Sequence, residues 1–133
     1  MTELISFHGK QEIKDNLLKQ LKAHYEADEI IKGKYWKNGK GCAVGCSVHS
    51  SDHFEYEKQL GISVVLAKLE DSIFEGLPNK EAKEFPIKFI EAIPVGVNLD
   101  SVFYKFFAQL IHQLYHKTQK IYNIHHLYLA SKK

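Results

Sequence analysis

The stretch that decides the fold class is ISVVLAKLEDSIFEGL, residues 62–77. Large apolar side chains recur in it every three or four residues, a spacing that places them on one face of an α-helix. They are Ile62, Leu66, Leu69, Ile73 and Leu77. Gly76 and Pro78 follow at the point where such a helix has to stop. The sequence therefore predicts an amphipathic helix over 62–77.

The segments on both sides have the same character. The spacing of Ile13, Leu17, Leu21 and Tyr25 predicts a helix over 10–32 that Gly33 ends. Within 42–60 the second half is expected to be helical, capped by Ser51 or Asp52 and ended by Gly61, while Gly41 and Gly45 disfavour a regular helix in the first half. We also expect a turn over 79–84, a helix over 86–93 that begins at Pro86, and a long helix from about 100 to 122. Residues 1–7 and 124–130 are the only candidate strands. The predicted fold is all-α, a single compact domain of about five helices over residues 1–133.

Composition narrows the class of protein. The 133 residues are 44% hydrophobic, enough for a packed core, and the net charge is +2. All 18 basic residues counted as Lys+Arg are lysines. The sequence therefore lacks the planar guanidinium group of arginine, which forms paired hydrogen bonds with guanine edges, and nucleic acid is a disfavoured partner. No signal segment and no run of about 18 apolar residues is present, so we expect a cytoplasmic protein without a membrane partner. Two cysteines are then expected as thiols or ligands.

The densest chemistry lies in GCAVGCSVHSSDH, residues 41–53. Cys42, Cys46, His49 and His53 follow one another at spacings of four, three and four. On one continuous helix all four would share a face. Thiolate and imidazole are ligands that zinc and similar metals prefer. The pattern therefore suggests a metal site, with Glu70 as a further ligand because it borders the apolar stripe of the 62–77 helix.

Two other interpretations of this stretch remain open. Gly41, Gly45 and the two small cysteine side chains suit close packing against another helix, since free cysteine behaves as a small hydrophobe. A reactive thiol is the third interpretation. Geometry limits the metal site, because a rise of ~1.5 Å per residue separates Cys42 from His53 by about 16 Å along a helix. Only neighbours could share an ion unless the chain folds back.

Other candidate groups have weaker patterns. Lysines interleave with Tyr35 and Trp36 over residues 32–40, which favours a solvated loop over a nucleic-acid site. Asp71 and Glu75 are expected in solvent. Glu70 differs, since a carboxyl group beside apolar side chains can have a raised pKa and act as an acid or base. A pair of histidines, His112 and His116, is predicted on the exposed side of the last helix.

Three runs of sequence carry a resemblance to known proteins. They are GKGCAVGC at 39–46, LGI at 60–62 followed by LAKLED at 66–71, and IFEGLPN at 73–79. Together they resemble a family of uncharacterised bacterial proteins, over residues 35–100. The resemblance implies kinship but brings no activity, cofactor or catalytic residue.

Two functions follow as expectations. The first is a small metal-binding protein, with zinc as the expected metal and Cys42, Cys46, His49, His53 and Glu70 as ligands. The alternative is a helical interaction module without catalysis. It rests on the wide apolar face of the last helix, which exceeds what a small core can cover and predicts a homo-oligomer or a protein partner. Its residues are Val102, Phe103, Phe106, Phe107, Leu110, Ile111 and Leu114.

Overall fold

The computed structural model describes residues 3–132, apart from the side chain of Phe103. The all-α prediction is confirmed, since helices dominate and one small hairpin is present. The described chain divides into two compact units, Met1–Asp100 and Ser101–Lys133, and each has its own description. In chain order the helices are α1 Gln11–Glu26, α2 Ala43–Val48, α3 Glu55–Leu60, α4 Val64–Gly76, α5 Asn79–Ala92 and α6 Asp100–Ser131.

The short helix α2 lies at the centre of the first unit. All six of its residues are buried, and it packs against α1, α3, α4 and α5. Gly45 makes this possible, because a Cβ at that position would collide with the carbonyl oxygen of Tyr35. Around α2 the core is completed by large apolar side chains from the other elements: Phe7, Leu21, Ile30, Tyr56, Ile62, Phe74 and Ile90.

Helix α1 is shorter than the sequence predicts. It ends at Glu26 rather than at residue 32, because Asp28 adopts a left-handed conformation with φ 55° and turns the chain. Ile30 then pairs with Gly41 in an isolated bridge and is buried. The chain after α1 is therefore used to cover α2 and not to extend the helix.

A two-stranded antiparallel hairpin follows, which was not predicted from the sequence. β1 is Trp36–Lys37 and β2 is Lys40–Gly41. Asn38 and Gly39 form the connection, with φ values of 55° and 76°. Asn-Gly is the pair that a two-residue hairpin turn prefers, since both positions need positive φ. The signal was present in the sequence, but the strands are too short to show alternation.

The helix predicted over 62–77 and the break predicted before Pro86 can be compared with α4 and α5. The predicted helix over 62–77 is confirmed as α4, with the Ser63 hydroxyl capping it by accepting from the Val65 N–H at 3.2 Å. The predicted break before Pro86 is wrong. Pro86 lies inside α5 with its ring buried in the core, so burial of the ring outweighs the missing N–H.

The predicted strands are also wrong. In the first, Met1 and Thr2 lie outside the described residues, while Ser6 and Phe7 lie in a 3-10 turn, Ser6–Gly9. The second, 124–130, belongs to α6, which continues to Ser131 instead of ending near 122. Every described side chain of α6 after Asp100 is exposed. Within residues 3–132, no helix has the length and apolar content that crossing a bilayer requires.

Candidate functional site

The predicted cysteine–histidine stripe does not form one helix face. α2 ends at Val48, because His49 takes a left-handed conformation with φ 52° that ends the helix. The next helix, α3, begins only at Glu55. Cys42 and Cys46 are therefore buried at α2, while His49 and His53 lie in the connection that follows. The helix predicted for the second half of 42–60 is confirmed as α3, which Gly61 ends, but α3 is not continuous with α2.

The two cysteines are packed thiols. Cys42 and Cys46 are 1% and 0% exposed. The Cys42 thiol donates to the carbonyl oxygen of Tyr35 at 3.5 Å, and the Cys46 thiol donates to that of Gly41 at 3.4 Å. Burial raises the pKa of Cys46 to about 12 and also raises the pKa of Cys42 far above its usual value. Both are protonated at neutral pH, whereas metal ligation and nucleophilic attack use the thiolate.

Asp71 is buried, so the prediction that it lies in solvent is wrong. Its exposed fraction is 8%. Oδ1 accepts a hydrogen bond from the backbone N–H of Val44 at 3.2 Å, and Oδ2 lies 2.7 Å from Nε2 of His53. The ring of Tyr35 packs edge-on against His53, with centroids 5.0 Å apart. These contacts hold both members of the His53–Asp71 pair in place.

Glu70, the neighbour of Asp71, is turned into the core. Glu70 and Tyr56 are both 0% exposed, and the Tyr56 hydroxyl donates to Oε2 of Glu70. Oε1 of Glu70 has no hydrogen-bond partner among the described residues. Burial raises the pKa of Glu70 well above its usual value, and the charge of Asp71 adds to this effect. The sequence suggested a raised pKa, but it did not identify Tyr56 as the partner.

A cleft of about 860 Å³ opens beside the His53–Asp71 pair. Its lining residues are Gly33, Lys34, Tyr35, His53, Lys68, Asp71, Ser72 and Glu75. Glu75 accepts a hydrogen bond from the Gly33 N–H at 3.0 Å. Within the described part of the chain, the ammonium groups of Lys34 and Lys68 have no hydrogen-bond or ion-pair partner. The cleft thus presents two unpaired cations beside carboxylates that already accept protein hydrogen bonds.

His49 belongs to a different cluster. Its Nε2 lies 2.7 Å from Nε2 of His24 on α1, and the ring of Trp36 stacks on it with centroids 4.6 Å apart. His24 Nδ1 lies 3.6 Å from a carboxylate oxygen of Glu29. His24 was not among the predicted site residues, because it lies 25 residues from His49 and no local sequence pattern links the two. Only the packing of α1 against α2 brings the two rings together.

The five predicted metal ligands are thus dispersed. Cys42 and Cys46 are packed at α2, His53 pairs with Asp71, Glu70 with Tyr56, and His49 with His24. Among residues 3–132, no group of three or more His, Cys, Asp or Glu side chains is arranged to hold a metal ion. Zinc at the five predicted ligands stays a prediction.

Comparison with protein-family models, with curated proteins and with solved structures gives no match to this chain.

Burial of the two thiols should make the free energy of unfolding depend on pH. Their folded pKa values lie above the value of 9.0 expected for an unfolded thiol, so burial stabilises the protein fully below about pH 9 and progressively less above it. Each thiol should lower the free energy of unfolding by up to about 1.4 kcal/mol per pH unit above that point. Urea unfolding of wild type and of C42A/C46A from pH 7.5 to 10.5 measures this, with the wild type expected to fall more steeply. Parallel profiles would mean that the thiols ionise in the folded protein.

Proposed function

We propose that the cleft binds a small anionic ligand and that His53, oriented by Asp71, transfers a proton to or from that ligand. The observation that carries the proposal is the 2.7 Å contact between His53 Nε2 and Asp71 Oδ2 at the edge of the cleft. A buried carboxylate that holds one ring nitrogen of a histidine is a recurring arrangement for general acid–base catalysis.

The two lysines and two acids of the cleft balance in formal charge, but among the described residues the lysines, unlike the acids, have no protein partner, which favours an anionic ligand group. Asp71 accepts from Val44 and contacts His53, and Glu75 accepts from Gly33, so both acids are already engaged by protein donors. Lys34 and Lys68 line the same cleft with ammonium groups available to a ligand. Lysine suits a carboxylate or phosphate group as a mobile point charge.

The position of His53 favours proton transfer. Its side chain is 15% exposed, so the ring reaches the cleft while most of it is held by protein. When Nε2–H donates to the Asp71 carboxylate, Nδ1 is left as an unprotonated acceptor. Neutral imidazole is the side-chain base best matched to neutral pH.

Titration with inorganic phosphate, pyrophosphate and citrate tests this function, with the His53 ring signals followed by NMR. At least one of these anions should produce saturable shifts in the wild type. K34M/K68M should weaken that binding by about tenfold or more, because the two cations are removed. The matched control K10M/K80M removes two exposed lysines outside the cleft and should leave the affinity unchanged. Equal weakening by both double variants, or no saturable shift with any of the three anions, would contradict the proposal.

A second candidate function is self-association through α6. A heptad pattern runs along this helix with apolar side chains at spacings of three and four, which is typical of a coiled-coil seam. Leu110, Leu114, Ile121, Ile124 and Tyr128 form the seam and are 37–60% exposed, with Lys117 as its one polar position. The opposite face is polar, with Lys105, His112, Gln119 and His126 at matching heptad positions. We propose that a second copy of α6 covers this seam, since the same apolar pattern on both helices is self-complementary.

Substitution of Lys117 tests self-association by a gain of affinity, because removing its charge should make the dimer tighter. In a symmetric pair two Lys117 ammonium groups would meet near the middle of the seam, which costs stability. K117L should therefore tighten the dimer about tenfold or more, and L114E/I121E should abolish it. Q109E/Q119E adds the same two charges on the polar face and should leave the dimer intact. Sedimentation equilibrium measures all four proteins, and a wild type and K117L that are both monomeric at millimolar concentration would refute self-association.

A further inference from the structure

The surface cluster of His24, His49, Glu29 and Trp36 is not used by the cleft. His24 lies on α1, His49 ends α2, and Trp36 lies in β1. The two histidine rings meet edge to face at 5.0 Å, with their Nε2 atoms 2.7 Å apart. We propose that this cluster is a binding site for a divalent late transition metal, with copper(II) as the best match, held by Nε2 of His24 and Nε2 of His49.

The separation of the two nitrogen atoms suits one shared ion. Two imidazole nitrogens bound to one metal at ~2.0–2.1 Å lie about 2.9 Å apart at a right angle and about 3.3 Å apart at a tetrahedral angle. The observed 2.7 Å would have to widen by a few tenths of an ångström. Each ring would also have to turn, because the two Nε2 atoms now point at each other along the line that joins the ring centroids. The smaller widening corresponds to adjacent positions of a tetragonal site, the geometry that copper(II) and nickel(II) favour.

Without a metal, one ring nitrogen of the His24–His49 pair lacks a hydrogen-bond partner among the described residues. The Nε2–Nε2 contact uses one proton, so one ring donates through Nε2 and the other accepts. Nδ1 of His24 is buried and has no hydrogen-bond partner within the described residues, although Glu29 Oε2 lies 3.6 Å away. A metal at Nε2 requires the proton at Nδ1, where it points toward the Glu29 carboxylate. Metal-bound histidines usually donate their second nitrogen to a carboxylate, which fixes the ring and makes it a better ligand.

The neighbours of His49 also favour ligation. Its ring stacks on Trp36 at an interplanar angle of 14°, which fixes its direction. His49 is exposed, so water can fill the remaining coordination positions.

Trp36 makes the site directly measurable. It is the one tryptophan of the sequence and contacts both rings, at 4.6 Å from His49 and 5.7 Å from His24. Copper(II) quenches indole fluorescence at such distances, so titration of the full chain with copper sulfate reports on this site. We expect saturable quenching at one equivalent, and an electron paramagnetic resonance spectrum with two coupled imidazole nitrogens.

Three variants with matched chemistry decide the assignment. H24F and H49F keep an aromatic ring at each position but remove one ligand, and each should weaken copper binding about tenfold or more. E29Q keeps both ligands and should weaken binding less than either of them. The control H112F/H116F removes the histidine pair of α6, whose rings lie 4.3 Å apart, and should leave the quenching unchanged. Circular dichroism checks that each variant is folded. Loss of saturable quenching in H112F/H116F, or wild-type quenching in both H24F and H49F, would overturn the proposal.

Discussion

The complete burial of α2 is the constraint on which the rest of the first unit depends. A helix of six residues satisfies few of its own backbone groups, and in the interior no water replaces the missing partners. Two side chains meet this need at its N-terminus. The Asp71 carboxylate accepts from Val44 N–H, and the Cys42 sulfur accepts from Gly45 N–H at 3.4 Å. Asp71 is thereby drawn out of solvent, and its second oxygen becomes available to hold His53.

The two adjacent acids of α4 illustrate how one helix produces two different environments. Glu70 faces the core, where burial favours its neutral form and Tyr56 is its hydrogen-bond donor. Asp71 lies one residue, or about 100° of helical rotation, further on, where a backbone N–H and an imidazole meet it. Only Asp71 lines the cleft. The chemistry proposed for the cleft therefore rests on Asp71, while Glu70 contributes a buried pair with Tyr56.

Helical periodicity was sufficient to predict the fold class and α4, because both depend on local spacing of apolar residues. It did not predict the ends of α1 and α2, where Asp28 and His49 take left-handed conformations that a sequence permits at many positions. The candidate site was predicted less well, because its contacts join residues that lie far apart in the sequence. His53 was identified as a chemical group, but its partner Asp71 lies 18 residues away and looked solvated. His24 and His49 are likewise joined by packing alone.

Asp71 orients His53 while it caps α2, and the tautomer of His53 reports this orientation. In the wild type at pH 8, ¹⁵N NMR should show a protonated Nε2 and an unprotonated Nδ1, because Nε2 faces a carboxylate oxygen. In D71N the side-chain oxygen is needed by Val44 N–H, so the amide donates toward His53 and should move the ring proton to Nδ1. The two nitrogen signals should therefore exchange in D71N. A wild type already protonated at Nδ1, or an unchanged tautomer in folded D71N, would contradict this role of Asp71.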